Sequence, residues 1–104
     1  MRTYYFTAAT EHFLLEEDPV EEILRERLRF YKDNNLSIDF WLTQTIDTLN
    51  ISELNSLQKE VPEKLVAIIS TNPKFIDWLK LRLQYVINGH FSVSNDIELM
   101  IRLE

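Results

Sequence analysis

Leu65-Val66-Ala67-Ile68-Ile69 is an unbroken apolar run of strand length. It reads as a central strand buried on both faces, which commits the chain to a sheet. Ser70-Thr71-Asn72-Pro73 follows at once and reads as a helix start. Asn72 is a favoured N-cap, and Pro73 suits the first helical position, where its missing N–H costs nothing. The spacing predicts a helix from Pro73 to about Asn88, with Gly89 as its C-terminal stop. That helix is unusually apolar, yet Arg82 sits where a core residue should be.

The rest of the chain is read around this unit. Thr3 to Ala9 alternates, is rich in aromatics and threonine, and reads as a strand. Glu11 to Glu17 sets no clear period. Asp18-Pro19 is read as the opening of a helix, with Asp18 capping, Pro19 in first position and Glu21 completing a capping box. Val20, Ile23, Leu24, Leu28 and Tyr31 then recur at helical spacing until Asp33-Asn34-Asn35 ends the run. Ser37 to Thr43 reads as a second strand and Thr45 to Ile51 as irregular. Ser52 is expected to cap a short helix that runs through Lys59 and is closed by Pro62. From Ser92 onward two patterns compete: Ile97, Leu99 and Ile101 alternate, while Ile97, Met100 and Ile101 suit a helix. No repeat or linker divides the 104 residues, which are read as a single domain, 1–104. The order of elements by itself suggests a parallel sheet, with an α+β sheet as the competing assignment.

Composition removes several classes of function. Eleven basic residues stand against 17 acidic ones, a net charge of −6, which suits neither a nucleic-acid backbone nor an anionic membrane surface. The absence of cysteine removes disulfides, thiolate metal sites and cysteine nucleophiles. A single glycine is too few for the common phosphate-cradling loops. No apolar stretch approaches the roughly 20 residues of a membrane span, so membrane contact is expected to be at most peripheral. Glu16-Glu17-Asp18 and Glu21-Glu22 are read as helix-start acids, and His12 and His90 are isolated. No cofactor or metal is expected.

Two residues fit their surroundings poorly. On a wheel of about 100° per residue, Arg82 falls between Trp78 and Phe75, inside the apolar region. Its stem either packs while its head reaches water, or it faces a partner among aromatics, in the company typical of binding hot spots. Asp39 is an acid inside Ile38-Asp39-Phe40-Trp41-Leu42. It is either an ordinary exposed strand residue or part of one docking surface with Arg82. A surface that placed the two on opposite sides of the fold would exclude the second reading.

Several of these segments, taken in order, resemble one small family. They are Phe13-Leu14-Leu15-Glu16-Glu17, Glu21-Glu22-Ile23-Leu24-Arg25-Glu26-Arg27, Asp39-Phe40-Trp41-Leu42, and Ser70-Thr71-Asn72-Pro73 with Trp78-Leu79-Lys80-Leu81-Arg82-Leu83 and Tyr85-Val86. The family is the hypothetical chloroplast reading frame fifty-four family of cyanobacteria and plastids. The resemblance implies an α+β fold, with a three- to four-stranded, mainly antiparallel sheet and about four helices around it. It also implies a non-catalytic accessory subunit of the oxygen-dependent magnesium-protoporphyrin IX monomethyl ester cyclase, which forms the fifth ring of chlorophyll. The implied partner is the di-iron catalytic subunit of that enzyme. The implied setting is a cyanobacterial cytoplasm or plastid stroma, with thylakoid contact through the partner. The family's docking patch, an acid, a phenylalanine and an arginine, falls on Asp39, Phe40 and Arg82, with Trp78 as their neighbour. Adjacent residues of a regular strand point to opposite faces, so Asp39 and Phe40 can share a face only if Asp39 lies at the start of the strand, before the pleat. A tetrapyrrole carrier that delivers substrate to the cyclase is the alternative.

Overall fold

Leu65–Ser70 forms a strand, β3, and every one of its residues is buried. The computed structural model describes residues 1–94 together with Leu99 and Leu103. Along the chain run β1 (Arg2–Thr10), a π-helical turn (Phe13–Glu17), α1 (Val20–Asp33), β2 (Phe40–Thr43), a 3-10 turn (Ile46–Leu49), α2 (Ser52–Glu60), β3, α3 (Pro73–Leu83) and β4 (Ile87–Val93). The sheet order is β2-β3-β1-β4, and every neighbouring pair is antiparallel.

This topology explains why the order of elements pointed toward a parallel sheet. β1 and β2, joined through α1, run parallel but are separated by β3. β3 and β4, joined through α3, run parallel but are separated by β1. Two β-α-β units therefore interleave, as in ferredoxin-like folds, and each strand's neighbours are antiparallel. The helical connection between β2 and β3, α2, is the addition to that plan.

The pleat sorts side chains into two cores. Tyr4, Phe6 and Ala8 of β1, Ala67 and Ile69 of β3, Trp41 and Phe91 pack with Ile46, Leu49, Ile51 and Leu54 from the 3-10 turn and α2 region. Leu99 is buried in the same core. On the other face Val66, Ile68 and Phe40 meet Leu24 and Tyr31 of α1 and Phe75, Ile76 and Leu79 of α3. Helices therefore cover both faces, and α1 and α3 lie on the same one.

Several boundaries differ from the sequence reading. The helix opened by Pro73 stops at Leu83, five residues short of Asn88, because Gln84 takes φ 69° and turns the chain. Residues 87–93 instead pair with β1 from Ala8↔Ile87 to Arg2↔Val93. Gly89 is therefore a mid-strand residue opposite Phe6, not a helix stop. Asn88 joins sheet to helix: its Oδ1 accepts from Thr7 Oγ1 (2.6 Å) and its Nδ2 donates to the Ile76 carbonyl (3.1 Å).

α1 starts at Val20, with Pro19 as the residue before it and no side-chain cap, so Asp18 does not cap it. Ser52 is the first residue of α2 rather than its cap; its hydroxyl donates to Glu53 Oε1. The expected strand Ser37–Thr43 is shorter and begins at Phe40. The choice between strand and helix for Ile97, Met100 and Ile101 lies outside the described residues. Asn72 caps α3 as expected, its side chain accepting from Lys74 N (3.0 Å) and Phe75 N (3.4 Å).

Candidate functional site

The Ser70-Thr71-Asn72 turn fixes the first component of the site. Ser70 Oγ donates to the Asp39 carbonyl (2.8 Å), and Thr71 N donates to the same oxygen (3.1 Å). Asn72 N in turn donates to Ser70 Oγ (3.0 Å). The backbone of Asp39 is thus pinned beside the start of α3, one residue before β2. Because β2 begins at Phe40, Asp39 precedes the pleat and is free of its alternation. Its carboxylate accepts from the Tyr31 hydroxyl on α1 (2.7 Å), on the same face as Phe40.

Tyr31 is joined to a residue that the sequence reading passed over. Arg27 Nη2 donates to the Tyr31 hydroxyl (3.0 Å), which donates onward to Asp39. The Arg27 guanidinium lies 3.8 Å from the centroid of the Phe75 ring, 5.1 Å from that of Tyr31 and 5.8 Å from that of Phe40. Such stacking holds a cation without charge neutralisation. Arg27 was findable: it falls on the stripe set by Leu24 and Tyr31, an arginine on an apolar face just as Arg82 is.

Four rings carry the site from the core to the surface. Tyr31 meets Phe40 edge-on (5.4 Å), Phe40 meets Phe75 (5.6 Å), and Phe75 stacks on Trp78 at 6.2 Å with the planes 18° apart. Trp78 is 48% exposed, whereas Phe40 is only 7% exposed. The Phe40 ring is covered by Tyr31, Phe75 and Arg27.

Ile23, Arg27 and Phe30 of α1 and Phe75, Trp78 and Arg82 of α3 line an open cleft of about 440 Å³, with Glu26 on its rim. The spacings of three, four and seven residues place each set on one helical face. The Arg82 side chain is half exposed and lies 3.8 Å from Asp18. Its head therefore reaches outward, and its pairing with Asp18 is a weak surface one. Arg82 and Asp39 belong to one side of the fold: Asp39 binds Tyr31, Tyr31 binds Arg27, and Arg27 shares the cleft with Arg82.

Among the described residues no group of three or more His, Asp or Glu side chains is placed to hold a metal ion. No helix among them is long and apolar enough to cross a membrane.

The family model described as "Ycf54 protein" matches residues 2–93 of the chain. The chain belongs to the Ycf54 family. It is 50% identical to the "Ycf54-like protein" of Synechocystis sp. (strain ATCC 27184 / PCC 6803 / Kazusa) over 92% of this chain and 72% of that one. It is also 33% identical to "Protein YCF54, chloroplastic" of Arabidopsis thaliana, over 88% of this chain and 43% of the plant protein. The solved structure of the Ycf54 protein from Synechocystis sp. PCC6803 superposes with a TM-score of 0.79 at 45% identity, covering all of this chain and 96% of that one. The antiparallel sheet with its packed helices is therefore the Ycf54 fold. Relatives in this family come from cyanobacteria and from a chloroplast.

The hydrogen-bonded chain makes one residue pH-sensitive. Burial, the hydrogen bond to Asp39 and the Asp39 charge push the Tyr31 phenol above its ordinary value of 10.0, against a smaller lowering by Arg27. A group whose pKa is higher in the folded state stabilises below its unfolded pKa, and that contribution is lost as pH rises through the folded value. Tyr31→Phe leaves Asp39 and Arg27 without their shared partner and should cost about 1–3 kcal/mol near neutral pH. Urea unfolding should show that cost shrinking as pH passes about 10, where wild type loses the contribution itself. A cost that stays constant into the alkaline range would contradict the assignment.

Proposed function

We propose that this Ycf54-family chain is a non-catalytic accessory subunit of the magnesium-protoporphyrin IX monomethyl ester cyclase and that it docks on the di-iron catalytic subunit. The α1/α3 face is the docking surface. The observation that carries this reading is the half-exposed Trp78, stacked on buried Phe75 and flanked by Arg82 across an open cleft. A rigidly supported indole beside an arginine is the composition of a protein-binding hot spot. Asp39, held by Tyr31 and by its pinned backbone, extends the same side. The resemblance of the docking segments to the family patch, and the cyanobacterial and chloroplast relatives, support the choice of partner and a cytoplasmic or stromal setting.

The test is affinity capture of the full chain from a chlorophyll-making cell, together with titration of the purified protein with a magnesium porphyrin. The expected result is recovery of the di-iron subunit and no saturable spectral change with the porphyrin. Saturable porphyrin binding without capture of that subunit would overturn docking in favour of a tetrapyrrole carrier.

A further inference from the structure

The cleft between α1 and α3 has a chemistry more specific than an apolar patch. It carries two guanidiniums, Arg27 and Arg82, against one carboxylate, Glu26, in a chain whose net charge is −6. Both arginines line the cleft itself, while Asp18 pairs with Arg82 from outside the lining. Arg27 is held in place by Phe75 at 3.8 Å and by its bond to Tyr31 at 3.0 Å. Its Nε is shielded from solvent and has no hydrogen-bond partner. Among the described residues Arg82 makes an exposed pairing to Asp18 at 3.8 Å, which a better-placed anion can displace.

We propose that the cleft is a carboxylate socket, whose occupant is an aspartate or glutamate side chain of the protein partner, beside a large apolar residue of the same segment. The carboxylate is received between Arg27 and Arg82, where charge-assisted and forked hydrogen bonds give direction. The apolar neighbour lies against Trp78 and Phe30, both about half exposed. Charge complementarity selects an anion, and the shape of the cleft selects a protein source. The walls offer one stacked aromatic face, Trp78 on Phe75, and an open side. A flat macrocycle needs a slot with apolar surface on both of its faces. The proposal rests on the reading of this face as a docking surface and specifies which partner groups it takes.

The experiment is NMR titration of the full chain with 3-phenylpropionate and, separately, with its neutral counterpart 3-phenylpropanamide at matched ionic strength. The chain has two tryptophans, so the indole N–H signal of exposed Trp78 reports the cleft while that of buried Trp41 reports the fold. The expected result is a saturable shift of Trp78 with the carboxylate, with binding at least about tenfold weaker for the amide. Arg27→Gln and Arg82→Gln should each weaken carboxylate binding about tenfold while Trp41 is unmoved. Arg82→Gln decides the matter if Arg27→Gln disturbs Trp41. Equal binding of acid and amide, or no effect of the arginine substitutions, would overturn the socket. A magnesium porphyrin dicarboxylate that saturates the same signals would overturn the protein source. No cyclase subunit is present in this titration. Loss of the socket with capture of the di-iron subunit intact overturns this inference alone, and a working socket without capture overturns the choice of partner alone.

Discussion

Gly89→Val should destabilise the protein by about 1–3 kcal/mol, as expected for forcing atoms into a packed core. A Cβ at Gly89 would lie 2.5 Å from Cζ and 2.8 Å from Cε2 of the Phe6 ring. Phe6 is 3% exposed and packs on Phe91, so it cannot simply swing away. Gly89 does not occupy a positive-φ conformation, so the demand is for space rather than for backbone freedom. Chemical denaturation should show a lower midpoint with an unchanged slope. Phe6→Leu in the same chain should recover part of the loss, because residues in contact do not add independently. Wild-type stability in Gly89→Val would mean that β4 does not pack as described.

The same residue shows where the sequence was misleading. Val86 and Ile87 continue the apolar arc of α3 and Asn88 its polar side, and a glycine after them matches a helix stop. Ile87, Gly89, Phe91 and Val93 also alternate, and pairing along β1 decides for the strand. No local signal in the segment expresses that pairing, because its partner strand lies at the other end of the chain. By contrast, β3 and the Asn72 cap were legible, since both depend on composition and hydrogen bonds within a few residues. Asp39 and Arg82 were visible as misfits in apolar surroundings. Their relation could be offered only as one of two readings, because Tyr31 and Arg27 make the link and only the tertiary fold places these beside β2 and α3. Phe40 was legible as an aromatic but not as a buried one, since burial on that face depends on where β2 begins.

Trp78→Ala should weaken binding of the di-iron catalytic subunit by roughly thirty-fold or more, the equivalent of about 2 kcal/mol. Nearly half of Trp78 is open to solvent, and the other part rests on Phe75. Its removal takes contact area from the proposed docking face without opening a cavity in either core. The stability of the free protein should therefore change little, in contrast to Gly89→Val. Arg82→Ala should act in the same direction. Its ion pair with Asp18 is an exposed one, so the substitution should cost the fold little while removing an arginine from the proposed docking face. Lys59→Ala, on α2 across the sheet, serves as the control.

The central claim is that the α1/α3 face, centred on Trp78 and Arg82, binds the cyclase's di-iron subunit. Quantitative binding of the purified di-iron subunit to wild type, Trp78→Ala, Arg82→Ala and Lys59→Ala tests it most directly, with each variant's unfolding midpoint measured alongside. The account predicts wild-type affinity for Lys59→Ala and a marked loss for both cleft variants at near-wild-type stability. Equal affinity across all four proteins would contradict it.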